Sequence, residues 1–186
     1  MKKILIIGSG GAGKSTLARA LGEILKVEVL HLDRFHWQPG WIGLPKDEWQ
    51  KTVEDLLKRD SWIMDGNFGG TMERRLAACD TAIFLDFPRT LCLYRVFRRW
   101  LAYRHTNRPD MTEGCHEKLD WDMAHWVWTF PERAKPQIEA RLKKVEGEKT
   151  IIRLRSPKEV EKFLSELAKN PSRFKAKSEL RQTKND

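Results

Sequence analysis

Apolar residues along this chain fall into short unbroken runs that alternate with stretches of helical spacing. Lys3-Ile4-Leu5-Ile6-Ile7 has no polar alternation and stops at glycines, the pattern of a strand buried on both faces. Residues 15–25 then place Leu17, Ala18, Leu21, Ile24 and Leu25 on one helical stripe. Residues 27–32 read as a second strand ending at Asp33, 48–57 as a helix, and 62–64 as a brief third strand ending at Asp65-Gly66. Residues 81–85 form a fourth strand, closed by Asp86 and stopped by Pro88, and 91–103 a long arginine-rich helix. Residues 150–154 give a fifth strand, and 157–167 a helix with proline in its first turn. Trp121, Trp126 and Trp128 read as a packing seam in a helix further along.

Strands alternating with helices, most without polar alternation, predict an α/β fold with a parallel sheet covered on both sides. Ligands of such sheets bind beyond the carboxyl ends of the strands. Gly8, Asp33, Asp65 and Asp86 all fall there, so a glycine loop and three carboxylates are expected on one rim.

The eight residues Gly8-Ser9-Gly10-Gly11-Ala12-Gly13-Lys14-Ser15 on that rim match the phosphate-binding pattern G-x-x-x-x-G-K-[ST] without a gap. Glycines let backbone N–H groups turn inward around phosphate oxygens, and the following helix adds unsatisfied N–H groups and a positive dipole end. Lys14 is placed to reach the β- and γ-phosphates, the Ser15 hydroxyl to ligate Mg²⁺, and Thr16 to support the α-phosphate. Gly8, Gly10, Gly11, Ala12, Gly13, Lys14, Ser15 and Thr16 are therefore the expected ATP-binding residues. No Asn-Lys-x-Asp base-recognition box appears, which disfavours a GTPase switch.

Mg²⁺ beside such a loop calls for an acid on a neighbouring strand end. Asp65 and Asp86 both qualify, or either caps the next helix; Gly66 allows a ligand to approach Asp65 closely, which puts Asp65 first. Asp33 is placed to take a proton from an attacking hydroxyl or to bind it, or else to cap a turn. His31 and His36 read as structural. Arg95, Arg98 and Arg99 share one helix face, and arginine without lysine suits forked contacts with phosphate. Trp37 and Trp41, in a turn-rich segment, either stack a flat acceptor or simply pack.

Composition narrows the setting. The 186 residues suit one domain, and no apolar run approaches the roughly 20 residues of a membrane span. The run Ile4 to Ile7 is too short for the about 7 to 15 apolar residues of a signal peptide. Three cysteines without a Cys-x-x-Cys pair suggest neither disulfides nor zinc, and fit a reducing cytoplasm. The net charge of +9 comes from six arginines between 89 and 108 and from a basic tail at 169–186. The rest is near neutral, which argues against a general nucleic-acid surface.

These residues resemble the adenylate-kinase-like P-loop proteins, and within them the family known as DNA topology modulation proteins. The resemblance runs to about residue 167 through the glycine loop, Leu32-Asp33-Arg34-Phe35-His36-Trp37, Pro39-Gly40-Trp41, Trp62-Ile63-Met64-Asp65-Gly66-Asn67-Phe68, Arg75, Phe84-Leu85-Asp86 and the arginine helix. It implies a five-stranded parallel sheet in one nucleoside-monophosphate-kinase-like domain (1–168), with an acceptor-binding insert at about 34–60 and a lid at about 104–120. By that similarity Arg95 stacks on adenine, Arg99 holds phosphates, and the turn at Arg155 borders the base. Nucleotide kinases usually carry Asp-Gly-Phe/Tyr-Pro-Arg where this chain has Asp65-Gly66-Asn67-Phe68-Gly69, so Arg75 replaces the acceptor-phosphate arginine or the acceptor is no nucleotide.

The expected activity is transfer of the ATP γ-phosphate to a small-molecule or nucleotide acceptor held by Asp33, Arg34, Trp37, Trp41 and Arg75. Lys14, Asp33, Arg95 and Arg99 are its catalytic candidates, with Ser15 and Asp65 for the metal. The alternative is a nucleic-acid-associated protein that uses ATP as a switch.

Overall fold

In the computed structural model, which describes residues 1–104, 106, 108–117 and 121–170, five parallel strands form the sheet. They are β1 (Lys3–Gly8), β2 (Val29–His31), β5 (Trp62–Asp65), β6 (Thr81–Leu85) and β7 (Thr150–Leu154), in the order β2-β5-β1-β6-β7. β1 is central because its neighbours cover both its edges: Ile6 pairs with Asp65 on one side and with Ile83 on the other. Its alternate residues feed two cores. Leu5 and Ile7 face the cluster that includes Trp62, Met64 and Phe84, while Ile4 and Ile6 face Ile63, Ile83 and Leu85. Burial on both faces is why polar alternation is missing from the strands.

The first core is closed by α3 (Lys46–Leu57), α4 (Met72–Ala78) and α6 (Trp121–Val145), and the second by α1 (Lys14–Leu25), α5 (Arg89–Tyr103) and α7 (Pro157–Lys169). α7 begins at Ser156, whose side chain accepts from the Glu159 N–H, and has proline in its first turn as expected.

Three elements differ from the sequence expectation. The second strand ends at His31, and Asp33 lies inside a short helix, α2 (Leu32–His36), because Leu32 turns into the core and its side chain is wholly buried. Beyond it comes a two-strand ribbon, β3 (Trp37–Gln38) and β4 (Ile42–Gly43), turned at Gly40 and Trp41, both with positive φ. α4, after a 3-10 turn (Gly69–Thr71), was not foreseen.

α6 carries Pro131 and Pro136 inside it and buries Val127, Phe130, Ile138 and Leu142. The tryptophans expected to form a packing seam sit off that stripe: Trp121 is 86% exposed, and Trp126 and Trp128 are also exposed. Within the lid expectation, residues 105, 107 and 118–120 lie outside the described residues, as does the tail from 171 onward.

Candidate active site

The glycine loop joins the carboxyl end of the central strand to α1, which places it on the rim of the sheet between the ends of β5 and β6. Gly11 has φ 76°, and a Cβ on it would stand 2.2 Å from the Cys92 carbonyl oxygen of α5, so only glycine lets α5 press this close. Gly8 is not part of the cleft surface. Its N–H donates to Asn67 Oδ1 at 3.1 Å and its carbonyl accepts from Asn67 Nδ2 at 2.8 Å, which fastens the loop's first residue to the end of β5. Residues Gly10, Gly11, Ala12, Gly13, Lys14, Ser15 and Thr16 do line the cleft.

Lys14 Nζ donates to the carbonyls of Gly8 and Ser9, both at 3.0 Å, so the ammonium lies folded over the loop. Burial lowers its pKa, opposed by Asp33 and then Asp65. Ser15 Oγ donates to Asp65 Oδ2 at 2.7 Å, and the other carboxylate oxygen is 2.7 Å from His31 Nδ1. Asp65 is only 5% exposed, so it is held from both sides. A hydroxyl and a carboxylate converging at a strand end offer the hard oxygen donors that Mg²⁺ takes, and this pair fits the metal. Asp86, the other candidate, is paired instead with Lys135 at 2.8 Å and lies apart from Ser15.

A cavity of about 1220 Å³ opens over the loop. The loop divides it by topology. Residues after β2 and β5 form one half, with Asp33, Trp37, Trp41, Asn67 and Phe68; residues after β6 and β7 form the other, with Phe87, Pro157, Val160 and Leu164. Asp33 is half-buried, and burial raises its carboxyl pKa, with Lys14 opposing. The rings of Trp37 and Trp41 meet edge-on at 5.6 Å, and Trp41 Nε1 donates to the His116 carbonyl at 2.9 Å.

α5 delivers two of its arginines to the cleft. Arg95 donates from Nη1 to the Ala12 carbonyl at 3.4 Å and lies over the Phe87 ring. Arg99 Nε is 3.0 Å from Glu117 Oε1, close enough for an ion pair but without the alignment of a hydrogen bond. Burial lowers the Arg99 pKa, and the neighbouring Arg108 adds to that. Arg98, expected on the same face, is exposed and lies over Tyr94 outside the cleft.

Three further expectations are corrected. Arg75 is fully buried and outside the cleft. It donates to the carbonyls of Gly66, Asn67 and Phe68 and to Thr71 Oγ1. Burial pulls its pKa down to about 9, so it stays charged at neutral pH, but no donor fork is left for an acceptor. Arg34 is exposed and is not among the residues lining the cleft, although its neighbour Asp33 on α2 is. Arg155 is also outside it: its N–H donates to Glu159 at 2.8 Å as part of the α7 cap, and its side chain borders a separate cavity with Asp86 and Lys135.

Sequence reasoning missed His31, Asn67 and a buried charge cluster. Arg108 donates to both oxygens of Asp110, at 3.1 and 2.7 Å, and to Glu117. Burial pushes the Asp110 carboxyl up, but its bonds to Arg108 outweigh this and hold it well below the usual carboxylate range. The signal available was a single arginine, Arg108, followed within nine residues by three acids, Asp110, Glu113 and Glu117. Among the described residues no His/Cys/Asp/Glu cluster has the makings of a protein-only metal site, and no helix is long and apolar enough to cross a membrane.

No family model matches the chain. The uncharacterised protein YqaC of Bacillus subtilis is 31% identical over 100 residues, 53% of this chain and 56% of that protein. Magnesium-chelatase subunit ChlI of Pyropia yezoensis is 42% identical over 53 residues, 28% of this chain and 15% of that protein. The chain thus spans about half the length of the first of these curated relatives and less of the second. Among solved structures, shikimate kinase from Acinetobacter baumannii in complex with shikimate superposes with a TM-score of 0.59 at 19% identity, over 91% of this chain and 94% of that one. A gluconokinase from Sinorhizobium meliloti 1021 reaches 0.49 at 16% identity, over 91% and 94% of the two chains. The chain shares its fold with that shikimate kinase structure, a five-stranded parallel sheet flanked by helices.

Proposed function

We propose that this chain is an ATP-dependent phosphotransferase that moves the γ-phosphate of ATP to a hydroxyl-bearing small molecule. The observation that carries this reading is the meeting of Ser15 and Asp65 at 2.7 Å at the foot of a cleft that also holds Asp33. A nucleotide switch needs only the first feature; a kinase needs a second half-cleft with a base, and the position of Asp33 in the cleft supports that reading. At about 1220 Å³ it exceeds the roughly 300 to 1,000 Å³ usual for a single ligand. The likeness to shikimate kinase, whose solved structure holds shikimate, supports a small-molecule acceptor.

In this reading the loop N–H groups and Lys14 bind the ATP phosphates, and the half with Pro157 and Leu164 takes the base beside Arg95. Ser15 and Asp65 hold Mg²⁺, which, when bound, neutralises charge on the β- and γ-phosphates. Asp33 accepts the proton of the acceptor hydroxyl as its oxygen attacks the γ-phosphorus. Arg99 and Arg95 stabilise negative charge on the transferring group. The nucleic-acid reading is less favoured: of the basic residues in the described body, Arg59, Arg74, Arg89, Arg108 and Lys135 are already in ion pairs.

Calorimetry with MgATP and an acceptor screen for ADP release test the proposal. Wild type is expected to bind MgATP saturably, and Lys14→Ala to abolish turnover. Saturable binding that no acceptor converts into ADP release would reduce the chain to an ATP-binding switch.

A further inference from the structure

The charge balance of the half-cleft after β2 and β5 restricts what the acceptor can be; this inference rests on the phosphotransfer reading. Among the described residues, the two guanidiniums that line the cleft there, Arg99 and Arg108, each have a carboxylate partner, and the donors Arg99 keeps free serve the transferring group in the phosphotransfer reading. Arg108 spends its fork on Asp110 and also meets Glu117, and Arg99 pairs with Glu117. Arg75 is turned inward to the carbonyls of residues 66–68. Among the described residues lining the whole cavity, five cations (Lys14, Arg19, Arg95, Arg99, Arg108) face five carboxylates (Asp33, Asp110, Glu117, Asp122, Glu161). ATP at the glycine loop tips this balance negative. A site made for a second phosphate or carboxylate needs free forked donors, since a charge left without a partner in a partly buried cleft is strongly disfavoured.

What the half-cleft does offer is apolar and planar. Trp37, Trp41 and Phe68 supply ring faces and edges, and the Trp41 indole is fixed by its bond to the His116 carbonyl. Aromatic walls of this kind take flat rings. Asp33 and Asn67 supply the polar contacts, and a carboxylate accepts from hydroxyls but repels anions.

We infer that the acceptor is an uncharged molecule with a flat ring and free hydroxyls, of the chemical class of nucleosides, and that its phosphorylated counterparts are excluded. In the step it undergoes, a hydroxyl oxygen forms a bond to the γ-phosphorus. The bond from that phosphorus to the β–γ bridging oxygen breaks, and ADP leaves with its electron pair. The hydroxyl proton passes to Asp33 and from there to water.

The full chain with MgATP is offered matched pairs, each common nucleoside against its own 5′-monophosphate, and ADP release is followed while calorimetry reports MgATP binding separately. At least one nucleoside is expected to raise ADP release over the acceptor-free rate, with kcat/KM at least tenfold above that of its monophosphate. If MgATP binds and a monophosphate is used as well or better, the inference falls and the phosphotransfer reading stands. It also falls if MgATP binds and no nucleoside raises the rate. Absence of MgATP binding removes the phosphotransfer reading itself, and this inference with it.

Discussion

His31 and Asp65, on the neighbouring strands β2 and β5, are joined by a hydrogen bond of 2.7 Å between the imidazole Nδ1 and the carboxylate Oδ1. The bond leaves the other oxygen, Oδ2, facing Ser15. A partner behind a metal-binding carboxylate fixes its orientation, and losing such a partner typically costs about 10- to 100-fold in metal affinity. His31→Ala is therefore expected to weaken Mg²⁺-dependent ATP binding by about that factor, read by Mg²⁺ titration at constant ATP. Unchanged Mg²⁺ affinity would make the histidine a packing residue only.

Asp65 and Asp86 should separate cleanly. Asp65→Asn is expected to remove the Mg²⁺ dependence of ATP binding, because it takes away the charged oxygen next to Ser15. Asp86→Asn breaks the partly buried pair with Lys135 and is expected to lower stability by about 1 kcal/mol while leaving Mg²⁺ affinity intact. The reverse pattern in the two titrations would reassign the metal site.

Gly11→Ala is expected to abolish ATP binding and to destabilise the fold by about 1 to 3 kcal/mol, measured by calorimetry and thermal melting. The added methyl would meet the Cys92 carbonyl at 2.2 Å in a backbone conformation that L residues avoid. An alanine variant that binds ATP normally would mean that α5 moves away from the loop freely.

Arg75→Met is expected to cost about 3 kcal/mol or more in urea unfolding, since it strands the carbonyls of residues 66–68 without donors in a buried place. If the protein instead kept its stability and lost acceptor affinity alone, Arg75 would return to the acceptor site.

The rate of ADP release should fall on the acid side at a pH above the ordinary aspartate value of about 3.9. Burial raises the Asp33 carboxyl, so it gains its proton, and stops serving as a base, at a higher pH than a solvated aspartate. Asp33→Asn is expected to remove this limb along with most of the turnover. A wild-type acid limb at the ordinary value would place the base elsewhere.

Local pattern carried the reading of the strands and the loop. The unbroken run from Ile4 to Ile7, the matching runs at 81–85 and 150–154, and the gapless glycine motif each depend on neighbours in sequence. The structure agrees with their positions to within a residue or so. α4 and the ribbon at Trp37 and Ile42 were harder to see, because a seven-residue helix and two-residue strands are too short for periodicity to register. α6 was legible only as a helix around its tryptophans; its full length runs through Pro131 and Pro136, residues that disfavour a helix interior, and its buried stripe spans them.

The sequence by itself determined that a parallel sheet carries a phosphate-binding loop, since strand runs, glycines and the Lys14-Ser15 pair are local signals that need no partner to be recognised. Which charges are free was decided only by the tertiary structure. Arg75 and Asp86 look in sequence like candidates for phosphate and metal, but one is spent on backbone carbonyls and the other on Lys135. The reason is physical: a buried charge whose bonds are all taken by the fold has nothing left for a ligand, and the partner of Asp86 lies 49 residues along the chain, beyond the reach of any local pattern.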